Sequence, residues 1–142
     1  MLIDATNLIV GRLGTFAAKK ALLGEKIDII NCEKAVFSGR EKEVFANYKQ
    51  KRDRGVPKKG PFIPRMPHLF MKRIIRGMFP MDKSRGKNAF KKIRCYIGVP
   101  EEFKGRAADT LPEANADKLP TLKKVSVGKV CEYLGARWHK AD

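Results

Sequence analysis

The positive charge of this chain is concentrated in its middle third. Residues 49–94 carry 16 Lys/Arg against 2 acids, Asp53 and Asp82, while residues 1–48 carry 7 against 6 and residues 95–142 carry 8 against 7. The formal net charge is +16. A field of that size exceeds what solubility needs and opposes compaction by self-repulsion. The near-neutral ends read as scaffold, and the middle third calls for a polyanionic partner. The 142 residues fit one domain, and the 43% apolar content is enough for one modest core. No apolar run approaches the roughly 18 residues of a membrane helix. The chain opens Met1-Leu2-Ile3-Asp4 without a charged segment before an apolar one, so no signal peptide, no membrane and a cytoplasmic location are expected.

Hydrophobic period places the elements. Leu2-Ile3-Asp4-Ala5 reads as a strand, and Thr6 and Asn7 offer turn or cap chemistry. Val10, Leu13, Ala17 and Ala21 form one stripe of a helix over 10–23, which Gly24 can stop. Ile27, Asp28, Ile29, Ile30 and Asn31 read as a second strand. Strand, helix and strand make a βαβ unit, hence a parallel pair with a right-handed crossover. Ala35-Val36-Phe37 is a short apolar run, and Val44, Phe45 and Tyr48 stripe a helix over 41–54. Gly55, Pro57, Gly60, Pro61, Pro64 and Pro67 break every period. Residues 49–66 therefore read as a basic arm, helical only at its start.

Pro67 suits the first turn of a helix over 67–78. Phe70, Met71, Ile74, Ile75 and Met78 fall on one half of it and Lys72, Arg73 and Arg76 on the other. One face should lie on the sheet and the other should meet an anion. Residues 82–87 read as a polar turn before a short basic helix ending near residue 92. Residues 93–97 alternate as a strand. Residues 101–120, with Pro112 and Pro120, read as a long surface loop. Ser126 or Thr121 can cap a last helix that runs to about Gly135. The pattern predicts a three-layer α/β/α domain around a small, mostly parallel sheet.

Motifs for chemistry are missing. Gly11 and Gly14 follow the first strand but lack the third glycine of G-x-G-x-x-G. They read instead as sites of close packing and a tight start to the helix. Gly55 and Gly60 have the separation of a phosphate loop, but Pro61 stands where its lysine is required. His68 at a helix start and His139 in the tail pair with no cysteine or carboxylate in sequence. His68 reads as a hydrogen-bonded helix-start residue or an RNA contact. Cys32, Cys95 and Cys131 are odd in number and contain no C-x-x-C, so they read as reduced, buried thiols. No catalysis, cofactor, metal or small-molecule substrate is expected.

The binding candidates are basic. Lys51, Arg52, Arg54, Lys58, Lys59 and Arg65 lie on the helix end and arm, Lys72, Arg73 and Arg76 on the helix face, and Lys83, Arg85 and Lys87 in the turn. Each phosphate they neutralise releases counterions, and arginine adds bidentate contact. Phe62 either stacks on a base or plugs the protein's own core. Helix-turn-helix, basic-zipper and zinc-finger patterns are absent, which disfavours sequence reading of DNA. The apolar face of 67–78 is needed for the core, which disfavours a membrane. An irregular arm suits folded RNA, recognised by shape. The rival readings are an α/β enzyme acting on a nucleotide or RNA, and a nonspecific DNA-binding protein.

Several stretches also match a known pattern in combination: Ile3-Asp4-Ala5 before Gly11-Arg12-Leu13, Asn31-Cys32-Glu33-Lys34 with Ser38-Gly39, Arg76-Gly77-Met78-Phe79-Pro80, Lys83-Ser84-Arg85-Gly86, and Ile93-Arg94-Cys95-Tyr96-Ile97-Gly98-Val99-Pro100. On these the chain resembles the large-subunit ribosomal protein thirteen family over most of its length. Residues 60–67 resemble the archaeal and eukaryotic branch, and the short chain is more similar to the archaeal one. Phe79 stands where the family more often has an aliphatic residue, and residues 101–125 match poorly. The resemblance implies a three-layer α/β fold, binding to large-subunit rRNA beside other large-subunit ribosomal proteins, and a role early in subunit assembly. It implies neither catalysis nor a cofactor.

Overall fold

A computed structural model of the chain describes residues 1–138. Strand β1 (Leu2–Asp4) leads through helix α1 (Val10–Leu22) to strand β2 (Ile27–Ile30). The two strands pair in parallel, with Ile3 opposite Ile29, as the βαβ reading requires. Gly24, at φ +105°, takes the left-handed conformation that closes α1. Strand β3 (Val36–Ser38) follows, then α2 (Glu41–Asp53). Helices α3 (Pro67–Arg76) and α4 (Ser84–Phe90) precede β4 (Ile93–Cys95), which pairs in parallel with β2. Strand β5 (Lys124–Ser126) leads directly into α5 (Val127–Tyr133). The main sheet has the order β1-β2-β4, and β3 and β5 form a separate antiparallel pair.

Neighbouring residues of a strand point to opposite faces of its sheet. Ile29 and Ile30 of β2 are 0% and 4% exposed, so both faces of the central strand are covered. The α/β architecture read from the sequence therefore holds. At the edge, β4 buries Ile93 and Cys95 while Arg94 is exposed. On α3, Phe70, Met71 and Ile75 are buried and Arg73 and Arg76 are exposed, the division that the helical period predicts.

Four details differ from the sequence reading. Helix α3 ends two residues early, at Arg76. The expected polar turn at 82–87 already contains the start of α4. Strand β4 stops at Cys95, because residues 96–98 turn to receive the end of β2: Cys32 N donates to the Tyr96 carbonyl at 3.1 Å and Asn31 N to the Gly98 carbonyl at 3.0 Å. Strand β5 was not predicted. It also settles the last cap, since Ser126 Oγ accepts from Lys129 N at 3.3 Å and Thr121 lies upstream of the strand. As expected, the basic arm is helical only at its start, as far as Asp53, and is irregular beyond it.

Residues 101–120 contain three short 3-10 turns and are tied to the sheet. Asp4 N donates to the Asp109 carbonyl at 3.0 Å, and Asp109 N to the Leu2 carbonyl at 2.8 Å. Farther on, Ile9 N donates to the Ala114 carbonyl at 2.8 Å and Ala116 N to the Asn7 carbonyl at 2.9 Å. Phe103, Ala114 and Ala116 are buried.

Two contacts explain family-like stretches in physical terms. Gly86 sits on α4 where a Cβ would lie 2.1 Å from the Pro80 carbonyl oxygen. Only glycine lets the helix approach the turn that closely. Phe79 is buried and meets Phe90 edge to face, with centroids 5.8 Å apart, so an aromatic residue has a partner at that position. Gly14 faces Met78 as a close-packing glycine should, whereas a Cβ on Gly11 would meet nothing within 4 Å. The second contact joins the ends of β1 and β2. Asp4 Oδ1 accepts from Thr6 N at 2.9 Å, Thr6 Oγ1 at 2.7 Å and Asn31 Nδ2 at 3.0 Å. Asn31 is a buried polar residue in the left-handed conformation, φ 55°.

These contacts fix two expected outcomes. Gly86→Ala should cost about 3 kcal/mol or more in urea unfolding, because backbone must move to admit the methyl group. Gly11→Ala should be no less stable than the parent chain. For Asp4, burial raises the pKa, but hydrogen bonds from Thr6 and Asn31 and the Lys34 charge outweigh it and hold the carboxyl below its usual value. A carboxylate favoured by the fold adds stability above the unfolded aspartate range and loses it as pH falls through the folded value. Asp4→Asn should therefore cost about 1 kcal/mol at neutral pH, the difference between a charge-assisted and a neutral hydrogen bond. The gap should close in acid, as followed by melting temperature against pH.

Candidate nucleic-acid interface

Helix α2 has no fully buried residue and is held to the body by rings. Phe45 stacks on Tyr133 with centroids 4.5 Å apart, and Tyr48 meets Phe70 at 5.0 Å and Phe37 at 5.3 Å. With Val44 half-buried beside them, these rings leave the opposite face of α2 exposed. Lys51 and Arg54 project from its basic end and are exposed, with Lys51 Nζ 4.9 Å from the centre of the Tyr48 ring.

Arg52 does otherwise. It is half-buried, and its Nη1 donates to the carbonyl of Leu134 just past the end of α5. Arg65 Nη1 comes within 3.5 Å of the position a Cβ would occupy on Gly135. Two arginines thus converge on the carbonyl end of α5, where the helix dipole favours cations. Arg52, predicted as a binding residue, is occupied in docking α2 on α5.

The arm turns tightly at its tip. Lys59 N and Gly60 N both donate to the Val56 carbonyl, at 3.1 and 3.0 Å, and this turn leaves Lys58 and Lys59 exposed. Phe62 is 69% exposed, so it does not plug the core. Ile63 and Met66 fill that role, packing half-buried against the main cluster. On α3, Arg73 and Arg76 are exposed, while Lys72 is half-buried with its Nζ 5.2 Å from the centre of the Phe90 ring. Lys83 before α4, and Arg85 and Lys87 on it, are exposed.

One cleft of about 450 Å³ brings three elements together. Lys51 and Arg54 reach it from α2 and Arg73 from α3, around Tyr48, Pro61, Ile63, Phe70 and Ile74. Lys58, Lys59, Arg76, Lys83, Arg85 and Lys87 lie outside it. The sequence reading missed Tyr48, Ile63 and Ile74 as part of this site. The available signal was Tyr48 and Lys51, three residues apart on a helix and so on one face.

No cation of 49–94 is in an ion pair among the described residues. Among the described residues, the ion pairs are Lys20–Glu25 at 3.3 Å, Arg40–Glu43 at 3.8 Å and Lys124–Asp117 at 3.8 Å, all outside that segment. Such unpaired charge keeps a positive potential available to a polyanion.

The remaining candidates for chemistry are the two histidines and three cysteines. His68 is half-buried, and its Nδ1 has no hydrogen-bond partner among the described residues, contrary to the expected helix-start bond. Burial pushes its pKa down, away from the charged form. His139 lies outside the described residues. Cys32, Cys95 and Cys131 are free and buried. Cys32, far from Cys95 in sequence, meets it across the sheet; that contact and burial push its thiol well up. Burial, with the Glu132 charge, pushes Cys131 up to about 12. Thiols so shifted are protonated at neutral pH and are poor nucleophiles. Among the described residues no group of three or more His, Cys, Asp or Glu could hold a metal ion, and no helix is long and apolar enough to cross a membrane.

Comparison with known proteins agrees with the resemblance. Residues 1–102 match the family model for ribosomal protein L13. The chain is 45% identical over 136 residues to the large ribosomal subunit protein uL13 of Archaeoglobus fulgidus, covering 95% of this chain and 87% of that protein. It is 43% identical over 135 residues to uL13 of Methanopyrus kandleri, covering 94% and 85%. With uL13 of Methanococcus maripaludis it shares 43% identity over 143 residues, covering 97% and 99%. The chain belongs to the ribosomal protein L13 family.

Proposed function

We propose that this chain is a structural protein of the large ribosomal subunit in the cytoplasm, where it binds rRNA and supports early subunit assembly beside other ribosomal proteins. Family membership supports the structural, non-enzymatic part of this reading. The observation that carries RNA binding is the basic surface running from the end of α2 through the arm to α3, whose cations lack ion-pair partners among the described residues. Lys51, Arg54, Lys58, Lys59, Arg73 and Arg76 are its phosphate contacts, joined by Lys83, Arg85 and Lys87. Lys72 contributes charge from a half-buried position, and Arg65 from an exposed one beside the carbonyl end of α5. Phe62 is free to stack on a base. Arg52 acts through the fold. The arm orders fully only on RNA, because its few apolar groups do not offset the entropy of fixing it.

Titration of large-subunit rRNA at several salt concentrations tests this. Arg73→Ala and Arg76→Ala should each weaken binding and reduce the slope of log affinity against log salt by about 1, with melting temperature unchanged. Arg52→Ala should instead cost about 1–2 kcal/mol of stability, the loss of a hydrogen bond to a charged donor. Unchanged rRNA affinity and slope in both Arg73→Ala and Arg76→Ala, or displacement of the rRNA by equimolar duplex DNA, would reject the reading. Amide exchange is the second check. Residues 54–66 should exchange faster than the sheet in free protein and become protected when rRNA is added.

A further inference from the structure

The cleft between α2, the arm and α3 has a composition that phosphate binding alone does not explain. Its cations, Lys51, Arg54 and Arg73, are exposed, whereas between them lie Tyr48, Ile63 and Ile74, which are only half-buried. A surface that met only the sugar-phosphate backbone would gain nothing from leaving these side chains accessible to water. The volume, about 450 Å³, lies within the range of small-ligand sites, about 300–1,000 Å³. Tyr48 is fixed by a tilted contact with Phe37 and an edge contact with Phe70. Its hydroxyl has no hydrogen-bond partner among the described residues.

We infer that this cleft receives one unpaired nucleotide of the RNA, with its base against Tyr48, Ile63 and Ile74 and its phosphates at Lys51, Arg54 and Arg73. The inference rests on the RNA-binding reading above and adds a base-recognition site to it. A flat, apolar-faced base with an anionic tether matches an apolar floor inside a cationic rim. A base kept in a duplex presents no free face to such a floor, so the nucleotide must come from a bulge, loop or junction. A free mononucleotide suits the site less well. The lining has no phosphate-cradling loop, and the cations continue along the arm at Lys58 and Lys59, where a strand would run on.

The test uses the full chain and RNA hairpins that share one stem, either fully paired or carrying a single A, C, G or U bulge. Binding is measured at physiological salt by fluorescence anisotropy. The protein should prefer at least one bulged hairpin by about tenfold, within the range that stacking of one base on protein side chains supplies. Ile63→Trp fills the floor without touching a cation. It should erase that preference, read as the ratio of bulged to paired affinity within the same variant. Equal binding of paired and all bulged hairpins overturns the inference and leaves rRNA binding standing, whereas failure to bind large-subunit rRNA removes both. Base-specific chemical modification of the bulged nucleotide in complex with unaltered protein decides the matter even if Ile63→Trp fails to fold. Protection of the base is expected, and undiminished reactivity counts against the site.

Discussion

Strand β2 places Ile27 and Ile29 on one face of the sheet and Ile30 on the other, and all three are buried. Each such side chain is worth about 1.5–3 kcal/mol when removed from water. Collecting that stabilisation from adjacent positions requires cover above and below the strand. Within the sheet β2 is flanked by β1, to which α1 connects it, and by a second parallel partner, β4, so cover for its two faces has to come from helices and loops packed on the sheet. The apolar faces of α1 and α3 are spent on this cover. The charged faces then have nowhere to go but outward, so packing of a small sheet also determines where the cations stand.

The middle third gives up its own compactness to keep those cations free. Helix α2 is attached by the ring seam of Phe45, Tyr48, Phe70 and Tyr133 and by the bond from Arg52 to Leu134, and the arm by Ile63 and Met66. These few contacts suffice because both ends of the arm run into regular helices. The scaffold supplies position, and the segment supplies charge.

How much of this could be read in the sequence depended on the range of the interaction. Local period placed α1, α2 and α3, because one stripe such as Val10, Leu13 and Ala17 repeats over several turns. The parallel pairing of β1 and β2 followed from the length of the helix between them. Strand β5 was invisible because Lys124-Val125-Ser126 has no period of its own and is defined by its partner β3. Helix α4 began inside an expected turn because the Gly86–Pro80 approach, a tertiary contact, outweighs the local preference of Ser84-Arg85-Gly86. The exposed cations of the middle third were legible as a class from charge alone. Their individual roles were not. Arg52 differs from Arg54 only through a carbonyl 82 residues away. The cleft stayed hidden because its walls are apolar residues that any sequence reading assigns to a core.

The segment at 109–116 has a bearing on the life of the protein before it meets a partner. A three-stranded sheet ends in a row of open amides and carbonyls, and such a row invites another chain to add a strand. Here Asp109 takes the inner places beside β1, exchanging bonds with Leu2 and Asp4. Self-association through that side of the sheet is blocked by the chain's own backbone, independently of ionic strength. Mutual repulsion of highly charged molecules fades as salt screens it, but a hydrogen-bonded edge does not. The segment thus acts as a seal on the β1 side of the sheet, leaving a strongly basic chain no open row there on which a second copy could add a strand.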